Sequence, residues 1–199
     1  MRFKKLSVVS TLLGLGACSH DVQLAPSLMP AGEVMANRII QTPTIYSFSS
    51  DMIDAKAAMN FDGLGCSAHT YNVALGPAIV ETLKTATTAG FAHAQEGQSQ
   101  TRSAYNIRFD LEDVEGRLNL IQGFWSNKVG ARVELSGKVD VTDNSGVEIA
   151  RAIITGEASD TIPGGCFDAE KAIHLAGEKA IRRLGTDYVY KIINTNALH

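Results

Sequence analysis

The stretch VGARVELSGKVDVTDNSGVEIARAIITG, residues 129–156, decides the fold of this chain. Apolar residues alternate with polar ones over residues 129–141, and this period of two predicts a half-buried β-strand. Asp143-Asn144-Ser145-Gly146 is a strong turn signal, and the alternation resumes beyond it. We therefore predict a long antiparallel hairpin over residues 129–160.

Upstream of the hairpin, a second alternation predicts another strand. Its apolar residues are Tyr105, Ile107, Phe109 and Leu111. Residues 118–125 are expected to form the strand or turn that links this strand to the hairpin. Two shorter extended segments, at residues 44–48 and 71–75, are predicted from their β-favouring residues.

Two helices are predicted as well. The first spans residues 77–89, because Pro77 suits the first helical position, Gly90 suits the end, and Phe91 is expected to pack beyond it. The second follows Asp168, a suitable N-cap, and its apolar stripe extends to Ile192, with a kink expected near residues 185–186. Together these elements predict an α+β fold, a two-layer sandwich of about four antiparallel strands with two helices on one face.

The N-terminal segment has the layout of an export signal. Arg2, Lys4 and Lys5 precede an apolar run over residues 6–17. The run is shorter than the roughly 20 apolar residues that a membrane-spanning helix needs. Leu15 also occupies a position where an ordinary secretory cleavage site has a small residue.

The run Leu15-Gly16-Ala17-Cys18 resembles a bacterial lipobox, in which the chain is cut before the cysteine and the thiol is diacylated. The resemblance implies a signal peptide at residues 1–17 and lipidation of Cys18. Residues 18–43, with three prolines, are expected to be a weakly structured tether, and residues 44–199 a periplasmic domain. Ser19 after the cysteine implies sorting to the outer membrane in the proteobacterial lipoproteins that this pattern resembles.

Cleavage at this site would leave an acidic protein. It removes three of the 18 cations and none of the 21 acids, so that 15 cations remain and the formal charge is −6. This balance argues against a nucleic-acid partner, since phosphate binding needs clustered Lys and Arg. It also argues against an electrostatic membrane patch, so membrane attachment would depend on the acyl chains.

With Cys18 lipidated, Cys66 and Cys166 remain as an even pair in a compartment that permits disulfides, and we predict that they bond to each other. The alternative is a metal or nucleophile site that uses Cys66 with His69, or Cys166 with His174. That alternative lacks a second ligand pair. The chain's other histidines are scattered, and no metal or cofactor is expected: His20, His93 and His199.

Catalytic motifs are absent from the sequence: it contains no nucleophile elbow, zinc-protease helix or phosphate loop. The acidic cluster Asp110, Glu112, Asp113 and Glu115 lacks the ligand spacing of a calcium loop, which favours a solvated strand end. We therefore do not expect an enzyme. An enzyme would need a cleft that gathers this cluster with Cys66 and His69.

Phe124 and Trp125 are the candidate contact surface. Trp125 is the only tryptophan of the chain, and it lies where the alternation lapses. Exposed aromatic side chains are favoured at interfaces. The alternative is that Trp125 closes the end of the core.

The chain combines an anchored cysteine, a helix ending Thr88-Ala89-Gly90-Phe91, a strand meander with its hairpin, and a long final helix. Over residues 44–193 this layout resembles the periplasmic lipoprotein domains of the YajG and LptE kind, with related sandwiches in PelC and CsgG. The resemblance implies a non-enzymatic accessory or assembly role at the outer membrane, through an envelope protein partner or a homo-oligomeric ring. The alternative function is a carrier that binds a small amphipathic ligand between helices and sheet.

Overall fold

The computed structural model describes residues 18–26, 36–37, 39–63, 65–97 and 105–198. The expected signal peptide, residues 1–17, lies outside the described residues. The strands are β1 Cys18–Gln23, β2 Thr44–Phe48, β3 Lys56–Asp62, β4 His69–Ala74, β5 Ala94–Glu96, β6 Tyr105–Ile121, β7 Lys128–Asp143 and β8 Glu148–Pro163. The helices are α1 Ser50–Ile53, α2 Gly76–Gly90 and α3 Ala169–Tyr188.

The predicted hairpin is confirmed as the antiparallel pair β7 and β8. Its turn forms because the carboxylate of Asp143 accepts hydrogen bonds from the backbone N–H groups of Ser145 (2.8 Å) and Val147 (2.9 Å). Gly146 supplies the positive φ of +82° that the turn requires. Side chains at odd positions from Val129 to Val141 are buried, as the alternation predicted.

Strand β6 is longer than expected. It continues through residues 118–121, which the sequence assigned loosely to a strand or turn, and pairs with β7 along its whole length. A β-bulge between Leu111 and Asp113 shifts the register, so that Leu118 faces the core on the far side of the bulge. The other edge of β6 pairs in parallel with β2 at residues 105–109 and with β3 at residues 118–119.

The prediction of about four antiparallel strands is wrong: the described part of the chain forms one mixed sheet of eight strands. The missed strands are β1, β3 and β5. Strand β3 carries a period of two, with Ala57, Met59 and Phe61 buried between exposed neighbours. It was missed because most of its residues, namely lysine, alanine, asparagine and aspartate, have low strand propensity. Strand β1 pairs in parallel with β4, and β2 pairs in parallel with β6. Each pair joins segments distant in sequence, so no local pattern reveals it.

The prediction of a weakly structured tether is wrong for its first residues, 18–24. Residues 18–23 form β1, which pairs in parallel with β4 from Cys18 to Gln23. Val22 and Leu24 are buried, and Leu24 packs against Gly177 of α3. Apolar contact with the helix and strand pairing therefore hold this segment on the domain.

The helical layer consists of α3, which packs across β7 and β8, and α2 beside it. Helix α3 continues through Gly185 to Tyr188 and then widens into a π-helical turn, Val189–Ile193, so the kink expected near residues 185–186 does not interrupt it. Asp168 precedes α3 as predicted but does not cap it. Its carboxylate instead accepts a hydrogen bond from the backbone N–H of Gly165 at 3.0 Å.

The outer edge of the sheet, strand β8, is protected by the helix beside it. The N–H of Thr155 donates to Asp187 at 2.8 Å, and the carbonyl of Ile153 accepts from Lys191 at 2.8 Å. Arg183 donates to the carbonyl of Glu157. Because these side chains satisfy the backbone groups, residues 153–157 are unavailable for edge-to-edge strand addition.

Candidate membrane-anchoring site

The candidate site lies at one end of the sheet, which we call the anchor end. The residue pairs at this end show that four strands reach it. Cys18 of β1 pairs with His69 of β4, and Phe61 of β3 pairs with Leu118 of β6. Strand β3 joins the two pairs, because it runs antiparallel to β4 with Asn60 opposite Thr70. At about 4.8 Å per strand, Cys18 lies about 14 Å across the sheet from β6.

Cys18 is exposed and is the first residue of β1. Its backbone N–H donates a hydrogen bond to the carbonyl of Ala68 at 2.8 Å. The cysteine that the lipobox resemblance marks for acylation is therefore attached directly to the folded domain. An acyl group on this thiol would hold the anchor end close to the lipid surface.

Three ring side chains pack beside Cys18 and fix the start of β1. His20 stacks on Tyr71 with ring centroids 4.5 Å apart, and a ring nitrogen of His20 lies 2.9 Å from one of His69. One of the two histidine nitrogens must be unprotonated to accept that hydrogen bond. The Tyr71 hydroxyl donates to the carbonyl of Cys166 at 2.6 Å. Burial, reinforced by the nearby carboxylates of Glu170 and Asp168, raises the pKa of Tyr71.

The disulfide between Cys66 and Cys166 closes the same end of the domain, as predicted, with Cα atoms 5.5 Å apart. It joins the turn before β4 to the short 3-10 turn Cys166–Asp168 that precedes α3. With both sulfurs bonded, the structure contains no Cys66 or Cys166 thiol to act with His69 or His174 as ligand or nucleophile. Among the described residues, no group of three or more His, Cys, Asp or Glu side chains is placed to hold a metal ion.

Phe124 and Trp125 lie at the anchor end, in the loop of residues 122–127 between β6 and β7, which we call the aromatic loop. Their exposed fractions are 90% and 92%, so the alternative that Trp125 closes the core is wrong. The two rings meet edge to face, with centroids 4.9 Å apart. The backbone N–H of Gly164 donates to the carbonyl of Asn127 at 3.0 Å, which ties the loop to the end of β8.

The acidic cluster lies away from the anchor end, on and beside the bulge of β6. Glu115 forms an ion pair with Arg117 at 3.2 Å, and Asp110 with Arg108 at 3.0 Å. Along the strand, Asp110 is about 26 Å from Leu118 and Glu115 about 10 Å from it. The structure therefore does not gather this cluster with Cys66 and His69 into one cleft.

At the other end of the sheet is the hairpin turn of residues 143–147, which we call the distal turn. Beside it lies an open, polar depression of about 660 Å³, whose lining includes Arg108, Asp140 and Arg151. Partial burial works to raise the pKa of Asp140, but hydrogen bonds from Arg151 and Lys138 outweigh it and lower that pKa. The depression is thus lined by fixed charges of both signs.

The sequence identified Cys18, Cys66, Cys166, Phe124 and Trp125, and the structure brings them to one end. It missed the ring cluster of His20, His69 and Tyr71, together with Phe167, which is 80% exposed and packs edge-on against His69 at 4.9 Å. The available signal was the alternation of Cys18, His20 and Val22. Prolines after residue 25 obscured it by favouring a tether.

No family model matches the chain, and no curated protein matches it. Among solved structures, a protein of the DUF330 family from Xanthomonas campestris is similar, with 15% identity and a TM-score of 0.45 over 89% of this chain and 96% of that one. A minor lipoprotein from Acinetobacter baumannii is similar with 14% identity and a TM-score of 0.43, over 78% of this chain and 93% of that one. The resemblance to YajG, LptE and PelC domains stays a prediction.

Among the described residues, no helix is long and apolar enough to cross a membrane.

Proposed function

We propose that the chain is a lipid-anchored accessory or assembly protein of the outer membrane, whose domain faces the periplasm and acts by contact with another envelope protein or with further copies of itself. The observation that carries the proposal is the position of Cys18. It is exposed, it begins a paired strand, and it follows a segment with the layout of a lipoprotein signal.

An anchor on a paired strand differs from an anchor on a tether. A flexible tether lets a domain sample many orientations, whereas β1 is hydrogen-bonded to β4 and buried through Val22. Lipid at Cys18 therefore presents a defined surface of the domain to the periplasm. Positioning of this kind suits a protein that acts by contact.

The distal turn is the contact surface that this orientation presents. Strands β7 and β8 place it about 50 Å from the anchor end. Val147, in the turn, is an exposed apolar residue with 61% of its surface accessible. The charged depression lies next to it. An exposed apolar side chain beside fixed charges provides both contact area and orientation for a protein partner.

The carrier alternative needs room between helices and sheet. The described side chains there are packed: Ile173, Ala176 and Ala180 of α3 and Ile154 of β8 have no exposed surface. The described depression beside the distal turn is open rather than enclosed, whereas a carrier site buries most of its ligand's surface. The packing therefore favours the contact role.

Site-specific photo-crosslinking in intact cells tests the proposal. A photoreactive residue at Val147 of the lipidated protein is expected to give a discrete adduct with one envelope protein or a second copy, identified by mass spectrometry and by the reciprocal pull-down. The matched control position is Tyr190, which is 75% exposed but lies beyond α3. Adducts at neither position, from membrane-bound lipidated protein, would contradict the contact role.

A further inference from the structure

We infer that the aromatic loop inserts into the lipid surface that holds the acyl chains of Cys18, and that the domain is thereby held at a second point. The inference rests on the proposed lipid anchor. It assigns Phe124 and Trp125 to lipid rather than to a protein partner, and the distal turn remains the surface for protein contact.

The aromatic loop lies at the same end of the sheet as Cys18. Beyond the row that joins Cys18 to Leu118, β6 continues for three residues to Ile121, about 10 Å, before the aromatic loop begins. The loop therefore extends past the level of Cys18 on the same end of the sheet. Because Cys18 and β6 are only about 14 Å apart across the sheet, one patch of membrane can meet both.

The exposed side chains of the loop have the chemistry of a membrane interface. Tryptophan and phenylalanine favour the membrane interface, where the rings meet the boundary between headgroups and acyl chains. The anchor end exposes further apolar surface at Phe167 (80%) and Ile121 (45%). A cluster of exposed aromatic and aliphatic side chains marks an interaction site rather than an ordinary surface.

The charge pattern around the loop suits a lipid surface. The sequence contains no acidic residue from Gly116 to Val133, and Lys128 directly follows the loop. Arg117 and Arg132, in the same stretch, are ion-paired with glutamates outside it. Acidic residues on neighbouring strands are set back from the loop: Asp62 pairs in register with Asn119, and Asp160 with Ala131. The aromatic loop itself therefore contains no carboxylate that would oppose an anionic lipid surface. Asp168 lies beside Gly164 at the base of the loop, where Lys171 pairs with it at 3.9 Å.

The backbone of the loop is constrained so that its two rings are presented to solvent. A Cβ atom at Gly123 would lie 2.4 Å from the carbonyl oxygen of Ser126, so the loop closes tightly around the two aromatic residues. The hydrogen bond from Gly164 fixes its base at Asn127. A constrained loop loses less conformational entropy on insertion than a flexible one.

Because Trp125 is the only tryptophan, its fluorescence reports on the loop directly. The lipidated protein is reconstituted into vesicles of phosphatidylethanolamine and phosphatidylglycerol, with and without brominated acyl chains. We expect blue-shifted emission and quenching by the bromines. Emission typical of water, unquenched in vesicles that retain the protein, would overturn the inference. If the bromines do not quench Trp125 in vesicles, and a photoreactive residue at position 125 gives a protein adduct, the loop contacts a protein partner instead of lipid.

A second measurement separates the loop from the acyl anchor. The mature chain carrying Cys18→Ala is mixed with the same vesicles. Its binding is compared with that of the same chain carrying Phe124→Ser and Trp125→Ser in addition. The double change is expected to weaken binding about ten-fold or more, since it removes two aromatic rings from the interface. The matched control is Val147→Ser in the same Cys18→Ala chain, which removes an exposed apolar side chain at the distal turn. Its vesicle binding should be unchanged. Equal binding of all three forms would overturn the inference.

Failure of the lipid anchor is recognised separately, from the mass of the N-terminal peptide in the reconstituted sample. An acylated Cys18 with an unquenched Trp125 rejects the aromatic-loop inference and leaves the anchor. An unmodified Cys18 rejects the anchor, and the vesicle binding of the Cys18→Ala form then decides whether the loop contacts lipid on its own.

Discussion

Removal of the Cys66–Cys166 disulfide is expected to destabilise the domain strongly. The bond links residues 100 positions apart, and closing a loop of that length stabilises by up to about 4.7 kcal/mol in the chain-entropy model, with typical measured losses of about 2–5 kcal/mol. Urea unfolding of the parent protein and of the Cys66→Ala/Cys166→Ala form measures the difference. The double variant should unfold at a clearly lower urea concentration.

The structural reason is that the bond joins two parts of the chain that meet at the anchor end. The turn before β4 is held to the turn before α3, and the hydrogen bond from Tyr71 to the Cys166 carbonyl lies beside it. Cys18→Ala is the control, because it removes a thiol outside the bond and should leave the midpoint unchanged. Identical midpoints for the parent and the double variant, under non-reducing conditions, would refute a stabilising disulfide.

Gly156→Ala is expected to destabilise the domain by about 1–3 kcal/mol or more. A Cβ atom at this position of β8 would lie 2.1 Å from the carbonyl oxygen of Ala180 and 2.7 Å from the nitrogen of Leu184. Both obstructing atoms belong to the backbone of α3, so relief requires the helix to move away from the sheet. Equilibrium unfolding in urea measures the loss.

The sign of the stability change in Gly156→Ala distinguishes a steric clash with α3 from the effect of alanine on the unfolded chain. Replacing glycine by alanine in an unobstructed strand should stabilise it by about 0.5–1 kcal/mol, because the unfolded chain loses conformational freedom. The matched control is Gly165→Ala, where an added Cβ has no heavy atom within 4 Å and φ is −121°. If Gly156→Ala equalled or exceeded the parent in stability, the close contact between α3 and β8 would be wrong.

The parts of the fold that could be predicted are those with strong local periodicity. The hairpin of β7 and β8 carries a long alternation and a turn whose Asp143 and Gly146 have defined roles. Helix α2 begins beside Pro77 and ends at Gly90, within one residue of the prediction at either end. In these segments, local sequence preferences and tertiary packing favour the same structure.

The parts that could not be predicted depend on contacts distant in sequence. Strand β1 forms because β4 offers it a parallel edge and α3 covers Leu24, and neither contact is visible in residues 18–24. The candidate site shows the same division. Cys18 and the cysteine pair have local or pairing signals, whereas the packing of His20 against Tyr71 exists only once β1 has paired.

Cys18 is expected to carry the lipid that holds this domain by its anchor end. The direct measurement is the mass of the N-terminal peptide of the protein isolated from the membrane fraction, compared with a Cys18→Ala variant. We expect a chain that begins at an acylated Cys18, and a variant that accumulates as the uncleaved precursor. A mature chain that begins elsewhere, or one that carries Cys18 with a free thiol, would contradict it.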